Sequence, residues 1–216
     1  MAAQIEPYTK WWDEQNQQAA AAAGPLLVGL GDSTAIGIGA TDPQRSYVGL
    51  VHRRLRAHQG EPWRMINLAL SGARVSDALD RQLPILAGLR ADIVVCCIGT
   101  NDLVWGKETT ALRAQLRQLV LCLPGDTVIG TLAGGSARAL MANRALRNAA
   151  KEQGLTTLDP WSEATPTGHE RLARDRFHPN DLGYELMAVP FYRALGLPDH
   201  RETPLSEIPV SEPDGH

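Results

Sequence analysis

The residues Gly31-Asp32-Ser33 end the apolar run "PLLVGLG" at 25–31, and small residues follow them. A buried strand that ends on a serine places a hydroxyl at the rim of the predicted core. A serine hydroxyl becomes an effective nucleophile only when a neighbouring base removes its proton. Nucleophilic catalysis by Ser33 therefore needs three further parts: a base, a group that orients the base, and hydrogen-bond donors for the reacting carbonyl oxygen.

The base is sought among six histidines. Four of them fall in a predicted amphipathic helix or in the C-terminal tail: His52, His58, His200 and His216. His169 and His178 lie in the long loop before the last predicted helix, and His178 follows Asp175 by three residues. Side chains three apart on a helical turn have Cβ atoms about 5–6 Å apart. On a similarly tight turn Asp175 can hold the Nδ1–H of His178, which directs Nε2 toward Ser33.

Three donors are available for a negatively charged carbonyl oxygen. They are the backbone N–H groups of Ser33 and Gly72 and the side-chain amide of Asn101. Gly72 suits this role because a residue without Cβ lets a substrate approach its backbone closely. The alternatives are a simple turn glycine for Gly72 and a helix cap for Asn101.

Short apolar runs alternate with stretches of helical periodicity along the chain. The runs are 25–31, 64–70, 92–99, 126–133 and 155–159, and the helical stretches are 46–58, 75–89, 108–121, 136–153 and 180–195. Nearly continuous apolar strands between amphipathic helices are typical of a parallel sheet covered on both faces. The sequence therefore predicts an α/β protein with three α/β/α layers and a doubly wound, five-stranded parallel sheet, for which we adopt the flavodoxin-like strand order 2-1-3-4-5 as a hypothesis.

This topology would bring the candidate residues together. In a doubly wound sheet, ligands bind beyond the carboxyl ends of the strands, where the strand order reverses. Ser33 follows the first predicted strand, Gly72 the second and Asn101 the third. In the order 2-1-3-4-5 the second and third strands flank the first, so Gly72 and Asn101 are expected on either side of Ser33.

Four short blocks resemble the SGNH/GDSL hydrolase family. They are "GDS" near the N-terminus, a glycine after the second strand, "GTND" after the third and "DxxH" near the C-terminus. Any one block is weak evidence, but four in the right order over roughly residues 25–195 are specific. One departure is Thr34, which stands where the family usually has a leucine after its GDS.

The resemblance implies the SGNH hydrolase fold and a role for each matching residue. Ser33 would be the nucleophile and one oxyanion donor, with Gly72 and Asn101 as the other donors. His178 would be the general base, and Asp175 would orient it. The oxyanion hole and the catalytic triad would then share Ser33.

Further residues near these blocks are candidates for support or for substrate contact. Supporting hydrogen bonds to loop backbone, without proton transfer, are expected from Asp32, Asn67, Thr100 and Asp102. Possible substrate-pocket residues are Ile36, Arg74, Leu103, Val104 and Trp105. The alternatives are a solvent-facing arginine for Arg74 and ordinary loop packing for the four apolar residues.

We divide the chain into an N-terminal extension at 1–24, the SGNH hydrolase domain at 25–196 and a C-terminal tail at 197–216. The extension is expected to form a helix packed on the domain, because its apolar residues have roughly helical spacing. These residues are Ile5, Tyr8, Trp11 and Trp12. The tail is proline-rich and acidic with little to bury, so we expect it to be flexible.

The composition excludes several classes of protein. The net charge is −3 and no basic block occurs, so no nucleic-acid partner is expected. No apolar stretch approaches the roughly 18 residues of a membrane span, and the N-terminus lacks the pattern of a secretory signal. The three cysteines are interpreted as reduced core thiols, which favours a cytoplasmic location.

We therefore expect a serine hydrolase that cleaves carboxylic ester or thioester bonds of a small molecule, with no cofactor and no metal. No H-E-x-x-H motif or cysteine–histidine cluster is present. "GDSTA" differs from the G-x-S-x-G elbow of α/β-hydrolases at Ala35, and too few residues precede the first strand for that fold. The alternatives are an acyltransferase or carbohydrate deacetylase with the same site, or a non-catalytic binding module. The sequence does not specify an oligomeric state.

Overall fold

The computed structural model describes residues 1–106, 108–163 and 168–198 and contains one five-stranded parallel sheet. The strands are β1 (Leu26–Gly31), β2 (Arg64–Asn67), β3 (Ile93–Cys97), β4 (Thr127–Gly130) and β5 (Thr156–Leu158). Their order is β2-β1-β3-β4-β5, which confirms the predicted topology. β2 ends three residues before its predicted run because Asn67 turns the chain: its Oδ1 accepts a hydrogen bond from Ala69 N at 3.2 Å.

The helices connect these strands in a regular alternation. They are α1 (Ala2–Ala21), α2 (Ser33–Ile36), α3 (Tyr47–Gln59), α4 (Val75–Asp77), α5 (Leu83–Leu86), α6 (Thr100–Val104), α7 (Thr109–Cys122), α8 (Ala137–Gln153) and α9 (Asp181–Ala194). The predicted helix at 75–89 is divided into α4 and α5 by a π-helical turn at Ala78–Gln82. The one-turn helices α2 and α6 are too short to show helical periodicity in the sequence.

Helices cover both faces of the sheet. Alternate residues of a strand point to opposite faces, so in β1 Leu27 packs into one apolar cluster and Val28 into the other. The cluster around Val28 includes Leu112 of α7 and Leu146 of α8. The cluster around Leu27 includes Leu50 of α3 and Phe191 of α9. The three predicted layers are therefore present, and the carboxyl ends of the strands form one open edge.

The N-terminal residues form a helix that packs against β2 and the turn after β1. Trp12 is buried, and its indole N–H donates to the carbonyl oxygen of Ile36 at 2.9 Å. Asn16 forms two hydrogen bonds with the backbone of Asn67. Ile5 remains 39% exposed and does not join this packing. The helix therefore braces the segment that follows Ser33.

The structure contradicts one expectation about the cysteines, and most of the predicted C-terminal tail lies outside the residues that it describes. Cys96 and Cys97 are buried in β3, but Cys122 is exposed, so the interpretation of three core thiols is wrong for Cys122. Its position at the end of α7 turns it away from the apolar side of that helix. Residues 199–216, most of the predicted tail, lie outside the described residues. No helix in the described part of the chain has the length and apolar character to cross a membrane.

Candidate active site

Ser33 lies at the open edge of the sheet, where it begins α2. Asp32 caps this helix, and its Oδ1 accepts hydrogen bonds from the backbone N–H and the hydroxyl of Thr34, both at 2.9 Å. The cap forces a sharp change of direction after Gly31 and leaves Ser33 only 5% exposed. A strand followed at once by a capped turn thus fixes the position of the serine hydroxyl.

Gln82 anchors the end of β1 and was not singled out by the sequence analysis. Its side chain accepts from the N–H of Gly31 at 2.9 Å and donates to the carbonyl of Gly31 at 2.8 Å. The sequence does contain a signal for Gln82. This polar residue comes four residues after Ala78 and four before Leu86, so helical spacing places it on the buried apolar face. Gln82 therefore holds the residue that leads into Asp32 and Ser33.

Residues 171–180 form a hairpin that approaches Ser33 from the last loop; we call it the 171–180 hairpin. It is closed by hydrogen bonds from Ala173 N to His178 O at 2.8 Å and from Asn180 N to Arg171 O at 2.9 Å. Within its tip, Asp175 Oδ1 accepts from the backbone N–H groups of Phe177 and His178, each at 3.0 Å. The aspartate therefore shapes the turn that presents the imidazole.

The side chains of Asp175, His178 and Ser33 form a continuous line of contacts. Asp175 Oδ2 lies 2.6 Å from His178 Nδ1, and His178 Nε2 lies 3.0 Å from Ser33 Oγ. Burial would raise the pKa of Asp175, but hydrogen bonds from the His178 ring and from the backbone of Phe177 and His178 outweigh it, so this pKa is lowered. An ionised Asp175 can accept the Nδ1–H, which leaves Nε2 free to accept a proton.

The segment after α2 lies directly against the 171–180 hairpin. Gly39 has a φ of +102°, in the region that glycine favours, and a Cβ there would lie 2.3 Å from the carbonyl oxygen of Pro179 and 3.0 Å from the Cβ of His178. The Tyr184 hydroxyl also donates to the carbonyl of Ile38 at 2.7 Å. A close backbone contact therefore helps set the separation of serine and histidine.

Asn101 lies beside the turn that contains Gly72 and beside Asp32, the residue before Ser33. Gly72 has a φ of +75° and lies in an exposed turn. Asn101 Nδ2 donates to the carbonyl of Ala73, next to Gly72, at 3.0 Å, and lies 3.4 Å from Asp32 Oδ2. The backbone N–H groups of Ser33 and Gly72 make no hydrogen bond with any residue that the structure describes.

The four predicted supporting residues make distinct contacts. Asp102 is fully buried and accepts from the N–H of Val75 at 3.0 Å, which ties α6 to α4. Asn67 donates to the carbonyl of Ala35 at 2.9 Å, and Thr100 Oγ1 accepts from Ala133 N at 3.3 Å. Burial raises the pKa of the Asp32 carboxyl, although hydrogen bonds from Thr34 oppose this effect. The four residues all contact neighbouring backbone.

A cavity of about 270 Å³ opens beside Ser33 and His178. Its wall is largely apolar and includes Ile98, Trp161, Leu172, Phe177 and Met187. Cys97 also lines it, but burial raises the pKa of this thiol well above its ordinary value, so it stays protonated and is a poor nucleophile. Ser33 and His178 thus border the same largely apolar cavity.

The five predicted pocket residues lie outside this cavity wall: Ile36, Arg74, Leu103, Val104 and Trp105. Ile36 points into the core, and Leu103 packs against the cluster around Val28. Val104 and Trp105 are exposed, Trp105 by 67%, because α6 turns them toward solvent. Arg74 begins α4, and its backbone N–H donates to Asp77. The apolar wall residues come instead from beyond β3 and β5, from the 171–180 hairpin and from α9.

The described residues hold no group of three histidine, cysteine, aspartate or glutamate side chains placed to bind a metal ion. A hydroxyl in contact with an imidazole, a carboxylate behind the imidazole and amide donors beside the hydroxyl suit nucleophilic attack on a carbonyl.

Comparison with known proteins agrees with this geometry. A family model described as the GDSL-like Lipase/Acylhydrolase family matches residues 30–186. Esterase TesA from Pseudomonas aeruginosa is 32% identical over 102 residues, which cover 47% of this chain and 49% of TesA. The match thus spans about half the length of this curated relative.

Two solved structures are similar over most of their length. Esterase EstA from Pseudoalteromonas sp. has a TM-score of 0.66 and 18% identity, covering 79% of this chain and 96% of EstA. The acetylxylan esterase Axe2 from Geobacillus stearothermophilus has a TM-score of 0.63 and 25% identity, covering 81% of this chain and 95% of Axe2. The likeness to EstA establishes the shared fold alone.

Proposed function

The chain belongs to the GDSL-like lipase/acylhydrolase family, and from this membership we propose that it is a serine hydrolase that cleaves carboxylic ester or thioester bonds of a small molecule. The observation that carries the proposal is the contact of His178 Nε2 with Ser33 Oγ at 3.0 Å. The contact of Asp175 with the other ring nitrogen supports it. The remaining steps follow from these positions.

In the first half-reaction, Ser33 Oγ attacks the carbonyl carbon while His178 Nε2 takes the hydroxyl proton. Asp175 holds the Nδ1–H and stabilises the imidazolium that forms. His178 then gives its proton to the leaving alcohol or thiol, and the acyl group remains on Ser33. In the second half-reaction His178 removes a proton from water, which attacks the acyl-enzyme carbonyl; the bond to Ser33 Oγ then breaks, His178 returns the proton to Ser33 Oγ, and the acid is released.

The tetrahedral oxyanion is held by the N–H groups of Ser33 and Gly72 and by the amide of Asn101. Asn101 already donates to Ala73 at 3.0 Å, but its second contact, with Asp32, is long at 3.4 Å. A hydrogen bond of that length is weak. The amide group is therefore only weakly engaged with Asp32, and a substrate oxygen can compete with Asp32 for an amide hydrogen while the bond to Ala73 keeps the group in place.

The proposal is tested with p-nitrophenyl esters of increasing acyl length and with an acyl thioester. Ser33→Ala is expected to lower kcat by about 10⁴–10⁶, because nucleophile and base act as one unit. A fluorophosphonate probe should label the wild type and fail to label Ser33→Ala or His178→Ala. The matched control is Ser76→Ala, which removes a hydroxyl from α4. Near-wild-type turnover by Ser33→Ala would refute the assignment, and absence of labelling in the wild type would favour a binding module.

A second candidate is carbohydrate deacetylation by the same site. It is favoured by the 25% identity to a protein whose name is acetylxylan esterase. Release of acetate from acetylated xylo-oligosaccharides distinguishes it from simple ester hydrolysis. Product analysis in the presence of glycerol or a sugar tests an acyltransferase, since transfer to the alcohol would replace free acid with a new ester.

A further inference from the structure

The cavity beside Ser33 is apolar for most of its wall but carries two arginines, Arg171 and Arg176. Both belong to the 171–180 hairpin, which also carries Asp175 and His178. An apolar wall does not require a guanidinium group, whose solvation is costly to disturb. The placement of two such groups beside the proposed nucleophile therefore needs a separate explanation.

Arg176 stands at the most constrained position of the hairpin. Its φ is +56°, and it is the non-glycine residue with a positive φ among those described. A residue with a Cβ adopts this conformation at a cost that glycine avoids. Strained backbone tends to cluster at functional sites. This backbone conformation occurs between Asp175 and Phe177, and Arg176 lines the cavity while remaining exposed to solvent.

Arg171 occupies the neighbouring part of the wall. Its guanidinium carbon lies 5.8 Å from the centre of the Trp161 ring, within cation–π range. One guanidinium nitrogen donates to the backbone carbonyl of Glu163 at 3.0 Å. The Glu163 carboxylate itself pairs with Arg193. Arg171 is thus held in place by an aromatic face and a carbonyl, neither of which neutralises its charge.

The carboxylates near the cavity are already engaged elsewhere. Asp32 accepts hydrogen bonds from Thr34, and Asp175 accepts from the His178 ring and from backbone N–H groups. In the described part of the chain, no carboxylate lies within ion-pair distance of the guanidinium of Arg171 or Arg176. Among the described residues neither guanidinium has a carboxylate partner, so the wall presents two positively charged groups to whatever enters the cavity.

We propose that the site prefers esters that carry an anionic group, a carboxylate or a phosphate, which Arg176 and Arg171 bind while Ser33 attacks the carbonyl. Planar guanidinium groups match both anions through paired N–H donors. This inference rests on the proposed serine hydrolase activity and specifies its substrate class. The anion can belong to the acyl group or to the leaving group, and the experiment separates these two sources.

Two matched substrate pairs are used. For the acyl side, 4-nitrophenyl hydrogen adipate is compared with its neutral methyl ester, 4-nitrophenyl methyl adipate, by nitrophenolate release. For the leaving-group side, 4-acetoxybenzoate is compared with methyl 4-acetoxybenzoate by formation of the phenol. The quantity of interest is the ratio of kcat/KM for the anionic over the neutral ester, because general damage to the site cancels in this ratio.

The wild type is expected to favour the anionic ester by about fivefold or more in one pair, the scale of a partly exposed ion pair. Arg176→Gln should bring that ratio to within about twofold of unity, Arg171→Gln should lower it, and Arg176→Lys should retain much of it. Arg174→Gln is the matched control: it removes an exposed arginine of the same hairpin that does not line this cavity. It should keep the wild-type ratio, and rising salt should lower that ratio.

The outcomes separate the two proposals. If none of the four esters is turned over in a Ser33-dependent manner, the serine hydrolase assignment fails and this inference fails with it. If Ser33-dependent turnover shows a ratio near one in both pairs, only the anion preference is overturned. A wild-type preference that survives both Arg176→Gln and Arg171→Gln also overturns it, because the charge would then be recognised elsewhere.

Discussion

Replacing Asp175 by asparagine is expected to disable catalysis while leaving the hairpin folded. Asp175 Oδ1 accepts two backbone N–H groups, and Oδ2 faces His178 Nδ1 at 2.6 Å. In Asp175→Asn the amide oxygen must take the Oδ1 position, because two backbone donors point at it. The NH₂ group then faces Nδ1, which must lose its proton to accept a hydrogen bond.

The displaced proton moves to Nε2, the nitrogen that lies 3.0 Å from Ser33 Oγ. The imidazole then donates to the serine hydroxyl and can no longer remove its proton. The same change of tautomer in serine hydrolases with this arrangement costs about 10⁴ in turnover. We therefore expect kcat/KM to fall by about 10³–10⁴, or about 4–5.5 kcal/mol in activation free energy.

The assay is hydrolysis of p-nitrophenyl butyrate together with thermal unfolding. Asp42→Asn is the matched control, because Asp42 Oδ1 caps an exposed turn by accepting from Gln44 N at 2.8 Å but contacts no catalytic group. Asp175→Ala is the second comparison, since it removes the turn contacts as well. The kcat/KM of Asp175→Asn should be as low as that of Asp175→Ala. Its melting temperature, in contrast, should equal that of the wild type.

A kcat/KM within about tenfold of the wild type in correctly folded Asp175→Asn would refute the reasoning, since each tenfold step is only about 1.4 kcal/mol. Such a result would mean that the Nε2 atom of His178 can still accept the serine proton when no carboxylate faces Nδ1. Equal loss of stability in Asp175→Asn and Asp175→Ala would instead show that the residue acts through the turn alone.

Three further predictions concern the donors, the N-terminal helix and the buried carboxylate. Asn101→Ala should lower kcat by about 10²–10³, the usual effect of one oxyanion donor; a loss below about tenfold would remove the residue from that role. Trp12→Phe removes the donor to a buried carbonyl of α2 and should lower the free energy of unfolding in urea by about 1–3 kcal/mol, whereas Trp105→Phe, at an exposed site, should leave it nearly unchanged. Burial raises the pKa of Asp32, so its contribution to stability is present at low pH and is lost as pH rises through the folded pKa. The melting temperature of the wild type minus that of Asp32→Asn should therefore fall as the pH rises above about 4, the ordinary pKa of an aspartate; a difference that does not change with pH would contradict the raised pKa of Asp32.

The strands and the three layers were predictable because they follow from local patterns. Apolar runs and helical periodicity identified the strands and the long helices, and the right-handed crossover rule leaves few ways to connect them. Boundaries were less accurate where a polar side chain ends an element, as Asn67 ends β2 through its contact with Ala69. The π-helical turn at Ala78–Gln82 could not be predicted, because its hydrogen-bond register leaves little trace in residue pattern.

The residues that approach Ser33 were predictable in two cases. Some come directly after the strands next to β1, and the others belong to the DxxH block. The cavity wall was not predictable in the same way, because the predicted pocket residues are those next in sequence to the GDS and GTND blocks, and none of them lines the cavity. Chain neighbours such as Trp105 turn outward at the end of a short helix. The cavity wall is supplied by more distant residues such as Trp161 and Phe177. Inspection of the ends of β4 and β5 would have found Trp161 by the same rule that found Asn101.

The backbone contact at Gly39 bears on how the protein can be redesigned. The main chains around Gly39 and Pro179 touch with no side chain between them, so the gap between hydroxyl and imidazole cannot be adjusted by exchanging side chains there. The cavity wall around Trp161 is built from other segments and is not subject to that constraint. A library that randomises the wall while preserving residues 36–40 and 178–179 should therefore alter which esters are accepted without changing the reach of the imidazole.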